Sequence, residues 1–253
     1  MAGLSREGLR FSRLTIQTQI LQPTLVQSVV LPGQVPQPPQ ALTSDSVARI
    51  YAGIAKHGFT SMQQVPGGAQ MATGDGVSVV LVTANSFQFS EDLTRSAWQQ
   101  ALERLSVTVE VYAHEVAPQS FILQEVVDLQ GIWENLGQGA DAYIAHRFLK
   151  PGVEKLVEDF GFSYNGGAIR LNLVRPVTAS VPPGLTVIGP QGIHDALDVR
   201  LEPLFMDKSK LFIQVTATFT PTQDMKEIAK RAEIVHEVTW NRLARNIALE
   251  ATD

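Results

Sequence analysis

The chain has 253 residues, no cysteine, and 25 acidic against 20 basic side chains, for a net charge of -5. Hydrophobic residues make up 44%, enough to bury a core without covalent staples, while the missing thiols exclude disulfides, cysteine nucleophiles and cysteine-held metals. The acidic balance argues against nucleic acid as a partner, and no apolar run approaches the roughly 18 residues of a membrane span, so the expectation is a cytoplasmic protein without membrane contact.

Taken in chain order, residues 13–20 alternate Leu14, Ile16 and Ile20 with Thr15, Gln17 and Gln19, which predicts a half-buried strand. Residues 25–33 predict a second strand or its continuation, and residues 32–40 carry four prolines, a spacer over a sheet edge. A helix follows over 42–58, capped by Thr43 or Ser44, with Asp45 in its first turn, Val47, Ile50, Tyr51 and Ile54 on one face, and Gly58 at its end. Next comes a meander: Phe59–Val65, a turn at Gly67 and Gly68, a short strand near Met71, and an extended run with Val77, Val79, Leu81, Phe87 and Phe89 on one parity. Residues 94–116 place Trp98, Leu102, Leu105, Val109, Tyr112 and Val116 at helical spacing.

The second half repeats this order. Phe121–Trp133 is extended, residues 140–161 are helical with a break at Pro151, and Gly161-Phe162-Ser163 with Gly166-Gly167-Ala168 match Gly58-Phe59-Thr60 with Gly67-Gly68-Ala69. Three alternating strands follow, the last burying Leu211, Ile213, Val215, Ala217 and Phe219. A closing helix sets Met225, Ile228, Ala232, Val235, Thr239 and Leu243 inward, Lys226, Glu227, Lys230, Glu233 and Glu237 outward, and Trp240 at the rim. The expectation is an α+β protein: two tandem repeats, 1–117 and 118–253, of a mainly antiparallel sheet with long helices packed on one face. The paired glycines then serve hairpins rather than a phosphate cradle, because neither turn opens a helix.

Motifs for chemistry are sparse. Gly137–Ala142, "GQGADA", matches a dinucleotide fingerprint, but the preceding strand carries Gln124, Glu125, Asp128 and Gln130, and Glu158 and Asp159 fall at a helix end. A flexible helix start is the expected reading, with no cofactor. His57, His114, His146, His194 and His236 lack metal-ligand spacing, so no metal is expected. His194, Asp195 and Asp198 form the best acid–base cluster, without a catalytic signature around them.

The outward strand positions are rich in uncharged polar residues. Gln17, Gln19, Gln214, Thr216 and Thr218, with Trp240, are the candidate interface, because uncharged strands are templates for another chain. The expected function is that of a non-enzymatic protein-interaction or accessory subunit that self-associates as a homo-oligomer. The alternative is a small-ligand binder with an apolar pocket between sheet and helices at Trp98, Phe87 and Phe89. The third is an enzyme with its site near His194 and Asp198.

"VVLVTANSFQFS" leading into a Trp-bearing helix, and "LFIQVTATF" leading to "IVHEVTWNRLARNI", resemble a sporadically distributed, uncharacterised prokaryotic family of proteins of about this length. Where that family tends to have a basic, tyrosine-containing strand at mid-chain, this sequence has "FILQEVVDLQGIW". The resemblance implies no activity and transfers no functional residues.

Overall fold

A computed structural model describes residues 8–21, 41–116, 121–134, 139–148, 167–176, 194–220, 222 and 224–248. The expected strand at 25–33, the proline-rich spacer at 32–40, the break at Pro151, and Gly137, Gly161 and Gly166 lie outside the described residues. The elements are β1 (Leu9–Leu21), α1 (Ser44–Ala55), β2 (Phe59–Val65), β3 (Gly68–Thr73), β4 (Ser78–Thr83), β5 (Ser86–Asp92), α2 (Trp98–Val116), β6 (Phe121–Trp133), α3 (Ala140–Phe148), β7 (Ile169–Pro176), β8 (His194–Leu204), β9 (Asp207–Phe219), α4 (Glu227–Val238), a π-helical turn (Thr239–Leu243) and α5 (Ala244–Ala248).

Local chemistry explains most of these boundaries. Thr43 caps α1 by accepting the Ser46 amide at 3.1 Å, and Val47, Ile50 and Ile54 are its buried face. Pro66 and Gly67 form the two-residue turn between β2 and β3, with Gly67 at φ +78°, the position that a type II turn reserves for glycine. Gly68 answers a different demand: a Cβ there would stand 1.8 Å from the Val82 carbonyl oxygen of β4. Gly76, at φ +70°, turns the chain into β4, so Val77 is buried in the turn itself and the strand starts one residue later. That offset reverses the expected parity of β4. Ser78, Val80 and Val82 face the core, whereas Val79 and Leu81 are half-buried on the other side. Phe87 and Phe89, cross-strand neighbours of Val82 and Val80, lie on the core face.

One nine-stranded sheet runs β2-β3-β4-β5-β1-β6-β9-β8-β7, antiparallel at every pairing. The two halves therefore do not keep separate sheets. β1 and β6, each 13 residues long, pair from Leu9↔Trp133 to Leu21↔Phe121, which joins the two open edges at the centre. The core is likewise continuous, from Ile50 and Phe59 through Ile16 and Val127 to Val215 and Ile228.

Several features recur on either side of the β1–β6 seam, with four outer strands on one side and three on the other. Strands run outward β5, β4, β3, β2 on one side and β9, β8, β7 on the other. The seam carries two bulges, one leaving Ser12 of β1 unpaired and one leaving Leu123 of β6 unpaired. On α2 the buried positions Ala101, Leu105, Thr108 and Tyr112 are spaced four, three and four apart, and so are Ile228, Ala232, Val235 and Thr239 of α4 and the π turn. Each helix also sends an arginine to a fully buried strand carboxylate. Arg104 pairs with Glu91, which lies opposite Leu14, and Arg231 pairs with Glu125, which lies opposite Phe219.

The closing helix is not regular throughout. At Thr239 it widens into a π turn, where the Thr239 hydroxyl donates to the Val235 carbonyl at 2.6 Å. At the end of that turn Leu243 is only half-buried, short of the full burial expected. Glu227 pairs with Lys230 at 2.9 Å, because Arg231 has turned inward to Glu125.

Candidate interaction surfaces

Two features concentrate polar or aromatic side chains outside the core. The first is the sheet face away from α2 and α4. Pleating that buries Leu14, Ile16, Val127, Leu129, Val215 and Ala217 turns the intervening residues outward. Register then lines them up across strands: Thr216 beside Asp128 beside Thr15 beside Ser90, and Thr218 beside Val126 beside Gln17 beside Gln88. Gln17 and Gln19 are exposed, and Gln214, Thr216 and Thr218 are half-buried. Asp128 sits at the centre of this face and accepts three hydrogen bonds from neutral donors: Gln214 Nε2 at 2.6 Å, Thr216 Oγ1 at 2.7 Å and Gln130 Nε2 at 2.8 Å. Those donors spread its charge over the surface and hold the side chains in one arrangement.

The second feature is a cleft of about 590 Å³ where α2 and α4 meet above the start of β1. Trp98 and His236 stack there with ring centres 4.0 Å apart and planes 9° apart, and Phe11 lies 4.9 Å from His236 and 5.9 Å from Trp240. Leu9 and Phe11 share a face of β1 by alternation, and the Ser12 bulge brings that face into phase with Leu14 and Ile16, toward these rings. Gly131 stands opposite Phe11, and a Cβ at Gly131 would come within 3.1 Å of the Arg10 carbonyl oxygen. Burial pushes the His236 imidazole down to about 4, so it is neutral at ordinary pH. Arg10 and Glu134 line the cleft as well, and Glu134 pairs with Lys210 at 3.3 Å.

The structure thus separates some of the residues picked out in the sequence and joins others. Phe87 and Phe89 are fully buried beneath α2, where the Tyr112 ring packs 5.4 Å from Phe87. Trp98 and Trp240, chosen for different roles, line the same cleft. Asp195 and Asp198 fall on opposite faces of β8, and His194 opens that strand opposite Pro176. Each carboxylate has an arginine. For Asp195, burial opposes ionisation, but Arg175 and the Thr220 amide hold its carboxyl below the usual range. The Arg170 guanidinium does the same for Asp198. Beyond Gly139, "GQGADA" leads into α3, but the strand before it, β6, has antiparallel neighbours on both sides, unlike the parallel strands of a dinucleotide fold. Among the described residues no group of three or more His, Asp or Glu side chains is placed to hold a metal ion, and no helix is long and apolar enough to cross a membrane.

Sequence reasoning missed Phe11, the acceptor role of Asp128, and the buried carboxylates Glu91 and Glu125. Their partners come from other elements. Arg231, for example, lies 106 residues from Glu125, and only the bulge reveals where Phe11 points. No protein-family model matches the chain, and no curated protein matches it.

Proposed function

We propose that this chain is a duplicated α+β unit that works by protein contact, and that copies associate through the outward face of β5, β1, β6 and β9. The matched bulges at Ser12 and Leu123, the matched burial spacing of α2 and α4, and the two arginine–glutamate pairs support the duplication. The observation that carries the functional reading is the central outward face itself. Its exposed and half-buried side chains are mostly uncharged, among them Gln17, Gln19, Gln88, Gln124, Gln214, Thr216 and Thr218; its central carboxylate is already satisfied by neutral donors, and its exposed Arg13 stands opposite Asp92. Covering such a surface strands little charge, whereas a face built only for water usually carries Lys and Glu.

Because the chain has no cysteine, a single Gln17→Cys gives a unique thiol beside the seam. Mild oxidation should yield a disulfide-linked dimer, while Lys230→Cys, on the exposed side of α4, should not. Equal cross-linking of both variants, or of neither, contradicts the reading.

A further inference from the structure

The cleft at the α2–α4 junction stands apart from the proposed contact face, and its lining is better suited to a small molecule than to packing. Trp133 is fully buried, yet Trp98 and Trp240 are half-exposed within this one concavity, and its size is in the range of small-molecule sites. The other end of the seam provides a comparison. Ile122 precedes the Leu123 bulge as Phe11 precedes the Ser12 bulge; Met225 lies three residues before Ile228 as Trp98 lies three before Ala101; and Val109 follows Thr108 as His236 follows Val235. Ile122, Met225 and Val109 are aliphatic and buried. The same architectural corner is therefore closed with aliphatic side chains at one end and left open and ring-lined at the other. Packing did not demand the rings.

The polar rim decides the charge of a guest. Glu134 is shared with Lys210, whereas Arg10, which alternates with Leu9 and Phe11 on β1 and so borders the cleft at its outer lip, is exposed and has no carboxylate partner among the described residues. We infer that the cleft binds a flat aromatic ring bearing one anionic group, the ring against Trp98, Phe11 and Trp240 and the anion at Arg10. Ring faces supply apolar area with defined geometry, and the guanidinium supplies a charge-assisted hydrogen bond to a carboxylate or phosphate. A carboxylate and a phosphate ester share this chemistry.

The test uses the full chain labelled at its tryptophans, whose three indole N–H signals resolve Trp98, Trp133 and Trp240 by NMR. The probes are benzoate, phenyl phosphate, benzamide and benzylammonium. Benzoate or phenyl phosphate should shift the Trp98 and Trp240 signals saturably and leave Trp133 in place, and whichever binds tighter identifies the anion. Arg10→Ala, at an exposed position, should weaken that binding about tenfold, the scale of one lost charge-assisted contact. Phe11→Ala should abolish it, with an unchanged Trp133 signal as the check that the fold survives. Tighter binding of benzylammonium or benzamide than of either anion, or equal movement of all three indoles, overturns the inference.

Discussion

Glu91 of β5 and Glu125 of β6 sit on different strands of their pairs, each reached by an arginine three residues after the first buried position of its helix, and they are not equally provided for. Glu91 accepts from Ser78 and Arg104 with both oxygens engaged, whereas Glu125 has Arg231 on Oε2 at 3.0 Å and no hydrogen-bond partner on Oε1 among the described residues. Burial outweighs the arginine and pushes the Glu125 carboxyl up to about 8. A folded value above the ordinary 4.5 means that the native state holds this proton more tightly than the unfolded chain. Its stabilisation is fully present below about pH 4.5 and is lost as pH rises through about 8. His236 works oppositely: its stabilisation is present above pH 6.5 and is lost as pH falls through about 4. The window from pH 6.5 to 8 therefore isolates the carboxylate. Urea unfolding should show stability falling across it by about 1–2 kcal/mol, with the slope strongly reduced in Glu125→Gln. An unchanged slope in the variant assigns the titration elsewhere. None of this was legible in sequence, where Glu125 is one polar residue in a mixed strand; burial and the distant arginine make it special.

Secondary structure was far more legible, because it rests on spacing within a few residues. The alternation of β1 and β9, the Thr43 cap and the stripe on α2 follow directly from side-chain periodicity. The failures occur where one residue is inserted or withdrawn: the Gly76 turn that rephases β4, the Ser12 bulge that re-aims Phe11, and the π turn that takes Leu243 off its stripe. Two stability orderings follow. Gly68→Ala drives a Cβ into backbone that cannot yield, so it should cost roughly 3 kcal/mol or more, whereas Gly67→Ala, strained only by its φ, should cost roughly 1–2 kcal/mol. Thermal unfolding that ranks them the other way contradicts the hairpin described for β2 and β3. Ile228→Ala, at a fully buried position, should cost roughly 2–5 kcal/mol, and Leu243→Ala distinctly less.

At the scale of the molecule, sequence repetition pointed to two similar halves but could not show how they meet. Strand pairing between β1 and β6 depends on edges that only the assembled sheet exposes. The proposed duplication makes a definite statement about fragment 1–117. Deprived of β6, its β1 keeps an open edge and half of an apolar surface, so it should either remain unfolded or form a homodimer whose two β1 strands take the places of β1 and β6. Sedimentation of a stable, cooperatively folded monomeric fragment rules out dependence on the seam.

The proposed mode of action is association through the outward sheet face, and molar mass by light scattering over a dilution series addresses it most directly. The intact chain should register twice the mass of one chain, and Gln17→Arg together with Gln214→Arg, which place like charges across the contact, should return it to one. A mass of one chain at every concentration, or a dimer indifferent to both arginines, contradicts the account.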